Sequence, residues 1–205
     1  MAHTQRVHAR NPARSIMTGY AYKSEISEAH IGAEEYINNF RDPERFMGYC
    51  RQCPMYGKTW ACPPYGFDME EYLHGYRFAT IIMARITPAE KGIPIAEAGR
   101  LLLPERIRLE RMLLQAEKES GGKAFAFTGK CHYCVECTRE AGLPCRHPEK
   151  VRPSLEACGF DIVKTATKLF STEIKWSSNS FVPEYLTLIG GLFHNSGSCI
   201  SYLKL

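Results

Sequence analysis

Nine cysteines are the most constraining feature of this 205-residue chain, and seven of them fall into two short segments. The first cysteine segment, residues 49–66, reads YCRQCPMYGKTWACPPYG and has the spacing Cys-x2-Cys-x8-Cys. The second cysteine segment, residues 129–148, reads GKCHYCVECTREAGLPCRHP and has the spacing Cys-x2-Cys-x2-Cys-x7-Cys. If the thiols of a segment bind one metal centre, the fold has to bring them together at one place.

Metal binding is the leading interpretation of these cysteines. Disulfide scaffolds are typically short secreted chains with an even number of cysteines. No apolar stretch follows the N-terminal arginines, as a secretory signal would require, and no apolar run is long enough to span a bilayer. We therefore expect a protein of the reducing cytoplasm without a membrane span. The net charge of +4, from 26 basic and 22 acidic residues, is too small to indicate a nucleic-acid partner.

The second cysteine segment predicts a four-iron, four-sulfur cluster. Two intervening residues let a tight loop turn neighbouring sulfurs towards one centre, and three cysteines from one loop suit a cluster better than zinc, which usually draws two separated pairs. The predicted ligands are Cys131, Cys134, Cys137 and Cys145. Nearby cations would offset the negative charge of such a cluster, and those close in sequence are Lys130, Arg139, Arg146, Lys150 and Arg152. Zinc is the alternative metal.

Three interpretations of the first cysteine segment stay open. Cys50, Cys53 and Cys62 could bind a second metal whose fourth ligand is Cys158, a histidine, a substrate or another chain. The segment could instead fold over the other cluster as a lid. A redox dithiol is disfavoured, because a thioredoxin-type Cys-x-x-Cys opens a helix and Pro54 does not favour one here. Cys158 lies in a short apolar stretch, which is more typical of a packed small residue than of a ligand.

Hydrophobic patterning predicts a single α/β domain over residues 21–205, after a poorly ordered segment at 1–20. The predicted elements are strands at Phe78–Ile86, Lys123–Thr128, Phe160–Lys164 and within Pro183–Phe193, and a long helix at Pro104–Glu119 with Pro104 in its first turn. A strand, a helix and another strand in succession favour parallel pairing. We therefore expect a small, partly parallel sheet with packed helices and both cysteine segments at one end.

The two cysteine segments together resemble a family of bacterial and archaeal predicted metal-binding proteins that carries a domain-of-unknown-function label. The resemblance rests on CRQCPMYGKTWACPP and GKCHYCVECTREAGLPCRHPEKVRPSLEACGFDIV, and it extends from about Cys50 to Ile189. It implies metal ligands at the seven cysteines of the two segments, in a cytoplasmic protein. It implies no reaction, because the family has no agreed one. Cys199, in the C-terminal tail, departs from the pattern.

These observations predict an iron–sulfur redox protein with one cluster or two. It would be an electron carrier or a subunit that delivers electrons to a redox partner protein. One alternative is a binding module whose fold is stapled by structural zinc. The other is a metalloenzyme with an open site at Cys50, Cys53 and Cys62 that acts as a Lewis acid.

Overall fold

The computed structural model describes residues 3–5, 19–126, 131–177 and 180–196. Its strands are β1 (His3–Gln5), β2 (Tyr22–Gly32), β3 (Phe78–Pro88), β4 (Lys123–Phe125) and β5 (Leu186–His194). They form one five-stranded sheet in the order β1-β2-β3-β5-β4. The strands predicted at Phe78–Ile86 and within Pro183–Phe193 are confirmed. Most of the segment 1–20 lies outside the described residues, and the single domain over 21–205 stays a prediction.

The expectation of a partly parallel sheet is wrong, because every neighbouring pair of strands in the described sheet is antiparallel. β3 and β4 do point the same way, but β5 lies between them and hydrogen-bonds to both. Leu192 of β5 stands opposite Thr80 of β3 on one side and Ala124 of β4 on the other. Strand order thus depends on a segment far along the chain, which a local strand–helix–strand pattern does not contain.

The described chain contains five α-helices. They are α1 (Ala33–Phe40), α2 (Pro43–Gln52), α3 (Met69–Leu73), α4 (Ala98–Ser120) and α5 (Ile162–Phe170). Alternate side chains of β3 serve the two faces of the sheet: Ile82 and Ile86 pack in a cluster with α4, and Ile81 packs in a cluster with α1 and α5. None of the described helices has both the length and the apolar character that crossing a membrane requires.

The long helix begins earlier than predicted. α4 starts at Ala98, after a 3₁₀ turn at Ile95–Glu97, so Pro104 lies inside the helix and not in its first turn. Proline cannot donate a backbone hydrogen bond, and one helical bond is lost there. Leu101 and Leu109, on either side of Pro104, are fully buried. Burial of this apolar stripe offsets the lost hydrogen bond, because each buried leucine contributes about 1.5–3 kcal/mol.

Two elements differ from the sequence prediction. The strand predicted at Phe160–Lys164 is wrong: the chain makes only an isolated bridge from Phe160 to Arg41 and then enters α5. The Asp161 carboxylate accepts a hydrogen bond of 2.8 Å from the Lys164 amide and so caps this helix. β2 was not predicted, because its inward positions include the polar Ser24, which donates to the buried Glu105 of α4 at 2.9 Å.

Candidate metal centres

All four cysteines of the second cysteine segment line one cavity of about 370 Å³. We call it the four-cysteine cavity, after Cys131, Cys134, Cys137 and Cys145. A 3₁₀ turn at Thr138–Ala141 follows the third cysteine, and Gly142 ends it with a positive φ of 67°. The Thr138 hydroxyl donates to the Pro144 carbonyl at 2.8 Å. This closed turn brings the fourth cysteine back to the wall that holds the other three.

Backbone amides point at two of these sulfurs. The His147 amide donates to Cys145 Sγ at 3.4 Å, and the Tyr133 amide donates to the sulfur of Cys131. Burial raises the pKa of the Cys131 thiol, and the neighbouring thiols of the cavity raise it further, whereas the Tyr133 amide lowers it. Four thiols this close repel one another as thiolates, so a bound cation or cationic cluster core would relieve a repulsion that is built into the segment.

The cations around the four-cysteine cavity are only partly those that the sequence indicates. Arg146 lines the cavity, and so does Lys58, which comes from the first cysteine segment. Arg152 pairs with Glu117 at 2.5 Å, and Lys150 lies over the ring of Tyr133. Lys130 lies outside the described residues.

Arg139 holds the two cysteine segments together instead of facing the thiols. Its guanidinium donates to the Thr59 carbonyl at 2.6 Å and also to the carbonyls of Cys62 and Pro64. We call this set of three hydrogen bonds the Arg139 clamp. Trp60 adds a second link, because its indole N–H donates to the Leu143 carbonyl at 3.2 Å.

The first cysteine segment forms one wall of the four-cysteine cavity, as the lid interpretation predicts. Met55, Lys58, Thr59 and Trp60 line that cavity together with the four cysteines. The segment's own cysteines face elsewhere, so the lid and the separate-site interpretations both describe part of its geometry.

Cys50, Cys53 and Cys62 line a separate cavity of about 240 Å³, which we call the three-cysteine cavity. Cys50 is in the last turn of α2, and its carbonyl accepts a hydrogen bond of 3.0 Å from the Cys53 amide. The intervening loop turns back through Gly57, whose positive φ of 72° favours glycine and whose amide donates to the Pro63 carbonyl at 2.8 Å. These contacts return Cys62 to the other two cysteines, and Met55 lines both cavities.

Glu156 is the functional candidate that sequence reasoning missed. It lines the three-cysteine cavity, and its Oε2 atom is buried without a hydrogen-bond partner. Burial raises the pKa of this carboxyl. Nothing in its local sequence marks it, because its position depends on the packing of the 3₁₀ turn at Glu156–Cys158 against α2.

Cys158 is a packed core residue. It is 2% exposed, belongs to the cluster that contains α1 and α5, and does not line either cysteine cavity. The preference for a packed Cys158 over a ligand is confirmed in that respect. Cys199 lies outside the described residues. Each of the eight described cysteines has a free thiol.

Within the described ranges, no group of three or more His, Cys, Asp or Glu side chains is placed to hold one metal ion. The thiols of the two segments line the walls of two cavities.

A comparison with known protein families gives a match that covers most of the chain. The sequence model of a family described as "Predicted metal-binding protein (DUF2284)" matches residues 38–193, a range that contains both cysteine segments. No curated protein and no solved structure matches the chain.

Proposed function

The chain belongs to this family of predicted metal-binding proteins, and from that premise we propose that it is an iron–sulfur protein that transfers electrons. The proposed ligands are Cys131, Cys134, Cys137 and Cys145. The observation that carries this proposal is that all four cysteines line one cavity. The protein would act as an electron carrier or as an accessory subunit that passes electrons to a redox partner protein.

The size and the donor set of the four-cysteine cavity favour a cluster over zinc. A structural zinc site is closed, with four sulfurs in contact around one ion. The cavity of about 370 Å³ that the four cysteines help to line leaves room for a core of several metal and sulfide atoms. The donors fit that group as well, because four cysteine thiolates are the usual ligands of iron–sulfur clusters.

A bound cluster would supply a site that gains and loses one electron. The chain's own residues set the environment of that site. The amides of Tyr133 and His147 donate to ligand sulfurs, which stabilises negative charge there. Lys58 and Arg146 in the cavity wall add positive charge, and Glu136 and Glu140 in the same wall add negative charge. The amide donors stabilise the reduced state and therefore raise the potential of the site.

Exposed apolar side chains surround the proposed cluster site and offer a contact surface to a redox partner. Val135, which lies between two of the ligands, is fully exposed. Leu143 and Trp60, which are hydrogen-bonded to each other, are 55% and 38% exposed. Apolar side chains grouped on a surface mark interaction sites more often than single ones do. A partner docked on this surface would lie a short distance from the ligand sulfurs.

The first test is the content of iron, acid-labile sulfide and zinc in protein purified without oxygen. Iron and sulfide in equal amounts, about four or eight of each per chain, would support the proposal. Cys134→Ala should remove about four of each, whereas the matched Cys158→Ala variant should keep them, because Cys158 does not line either cysteine cavity. Zinc without sulfide would refute the electron-transfer proposal and would favour a binding module whose fold is stabilised by structural zinc.

A further inference from the structure

The three-cysteine cavity contains a fourth donor that belongs to a different part of the chain. Cys50, Cys53 and Cys62 come from the end of α2 and the loop after it, while Glu156 comes from the 3₁₀ turn before α5. The two regions are packed against each other. Cys50 and Glu156 both line the three-cysteine cavity.

The carboxyl group of Glu156 is buried with one of its two oxygens unpaired. The backbone amide of Glu156 and the side chain of Ser154 hydrogen-bond to the carboxyl, but the Oε2 atom is buried without a hydrogen-bond partner. Burial of an unpaired carboxylate oxygen is unfavourable. A bound proton or a bound cation would offset that cost, and the cavity that Glu156 lines also contains three thiols, which are typical ligands for a metal centre.

We propose that Glu156 is the fourth ligand of a second iron–sulfur cluster, which is bound by Cys50, Cys53 and Cys62. Three thiolates bind three irons of a cubane and leave one iron without a protein ligand. The carboxylate oxygen of Glu156 takes that position, and the carboxylate loses its unfavourable isolation by binding the metal. The site is therefore closed by the chain itself, and no substrate, histidine or second chain is needed to complete it.

Cys158 cannot take this role in the described arrangement. Its side chain lies in the core cluster and lines a different cavity, beside Arg41 and Tyr65. It is two residues after Glu156 in the same 3₁₀ turn, so the turn directs the carboxyl and the thiol to different cavities. The second centre has its own set of ligands, and its assignment does not rest on the electron-transfer proposal.

The decisive experiment counts iron and sulfide in a Cys134→Ala background, in which the other cluster is removed. With Glu156 intact, this protein should keep about four irons and four sulfides per chain. Glu156→Gln should lower the count to about three irons or fewer and change the electron paramagnetic resonance spectrum. Glu156→Cys should restore about four irons with a different spectrum, because a thiolate replaces the carboxylate. Glu149→Gln, at an exposed position, is the matched control and should change nothing.

Glutamine separates the two explanations for the buried carboxyl. It imitates the shape and hydrogen bonding of a protonated glutamate, so a residue that is simply protonated would tolerate the change. Full iron content and an unchanged spectrum in Glu156→Gln would overturn the proposal, and so would zinc in place of iron at this centre.

A measurement on the wild-type protein keeps the inference testable if the variants do not fold. Mössbauer spectra should show one iron with an oxygen ligand among the thiolate-bound irons. Spectra with thiolate ligands on every iron would refute the role of Glu156. This result would leave the cluster at the four-cysteine cavity untouched, so the two proposals fail separately.

Discussion

Replacing Arg139 with methionine should release the first cysteine segment from the second without disturbing the sheet. Methionine keeps a long, flexible, apolar side chain but removes the guanidinium group. All three hydrogen bonds of the Arg139 clamp are then lost, together with the stacking of the guanidinium on Trp60. The expected effect is local, because the clamp connects two loops and no strand.

The size of the effect follows from the acceptors. A net contribution of about 1.5 kcal/mol per hydrogen bond is the lower end of the range for charged donors. The bonds to Thr59 and Cys62 are partly buried, whereas the bond to Pro64 is exposed to competing water, so we count only the first two. The free energy of opening the first cysteine segment should therefore fall by about 3 kcal/mol. At 1.4 kcal/mol per factor of ten, that is about a hundredfold more frequent opening.

Hydrogen exchange followed by mass spectrometry on the metal-loaded protein measures this opening. The reporter amides are Gly57 and Cys62, whose hydrogen bonds to Pro63 and Thr59 close the loop. Their exchange should accelerate about a hundredfold in Arg139→Met, in the regime where exchange follows the opening equilibrium. Peptides of β3 serve as the internal reference and should exchange as before.

A matched variant separates loss of the clamp from loss of a positive charge. Arg111 is an exposed arginine on α4, and Arg111→Met should change the opening free energy by no more than about 0.5 kcal/mol. Two results would refute the reasoning about the clamp. One is an acceleration of less than about threefold in the reporter amides, and the other is an equal acceleration in β3.

Two further changes test the core of the fold. Gly190→Ala should lower the free energy of unfolding, measured in urea, by about 1–3 kcal/mol, because the new Cβ would lie 2.7 Å from Leu113 Cδ1. The control is Gly99→Ala, whose Cβ meets nothing within 4 Å and which should leave the free energy of unfolding unchanged or raise it by up to about 1 kcal/mol. Equal losses of stability in the two variants would contradict the packing argument. Burial lowers the pKa of His194 in the folded protein, so the unfolded chain binds its proton first and stability falls as the pH drops from about 6.5 through the lowered value. In His194→Gln, the urea midpoint of unfolding should fall less steeply as the pH drops, whereas His74→Gln, at an exposed position, should leave the slope unchanged. An unchanged slope in His194→Gln would contradict the assignment of this pH dependence to His194.

Local sequence patterns predicted the strands whose own residues indicate that they are buried. β3 is a continuous apolar run, and the residues of β5 alternate little because both faces are covered. The spacing of the second cysteine segment likewise predicted that its four cysteines would lie near one another, and a turn within the segment brings all four to the lining of one cavity.

The missed features depend on partners far away in the chain. β2 has a polar residue, Ser24, on an inward face, and it is tolerated there because Glu105 of α4 accepts a hydrogen bond from it. β5 separates β3 from β4 only because it pairs with both. Arg139 at the candidate site is a further case. Its position two residues after Cys137 indicated that it would offset the negative charge of a cluster, whereas its hydrogen bonds are with carbonyls of the first cysteine segment.

The Arg139 clamp has a consequence for protein engineering. A short cysteine motif is an obvious candidate for grafting into a loop of a host protein, on the assumption that the motif alone binds the metal. Here the second cysteine segment takes part of its cavity wall from the first, and the first is held in place by an arginine of the second. Neither sequence is a self-sufficient donor for a transplant. A host scaffold would have to receive both, at the same mutual distance, before either could serve as a metal-binding insert.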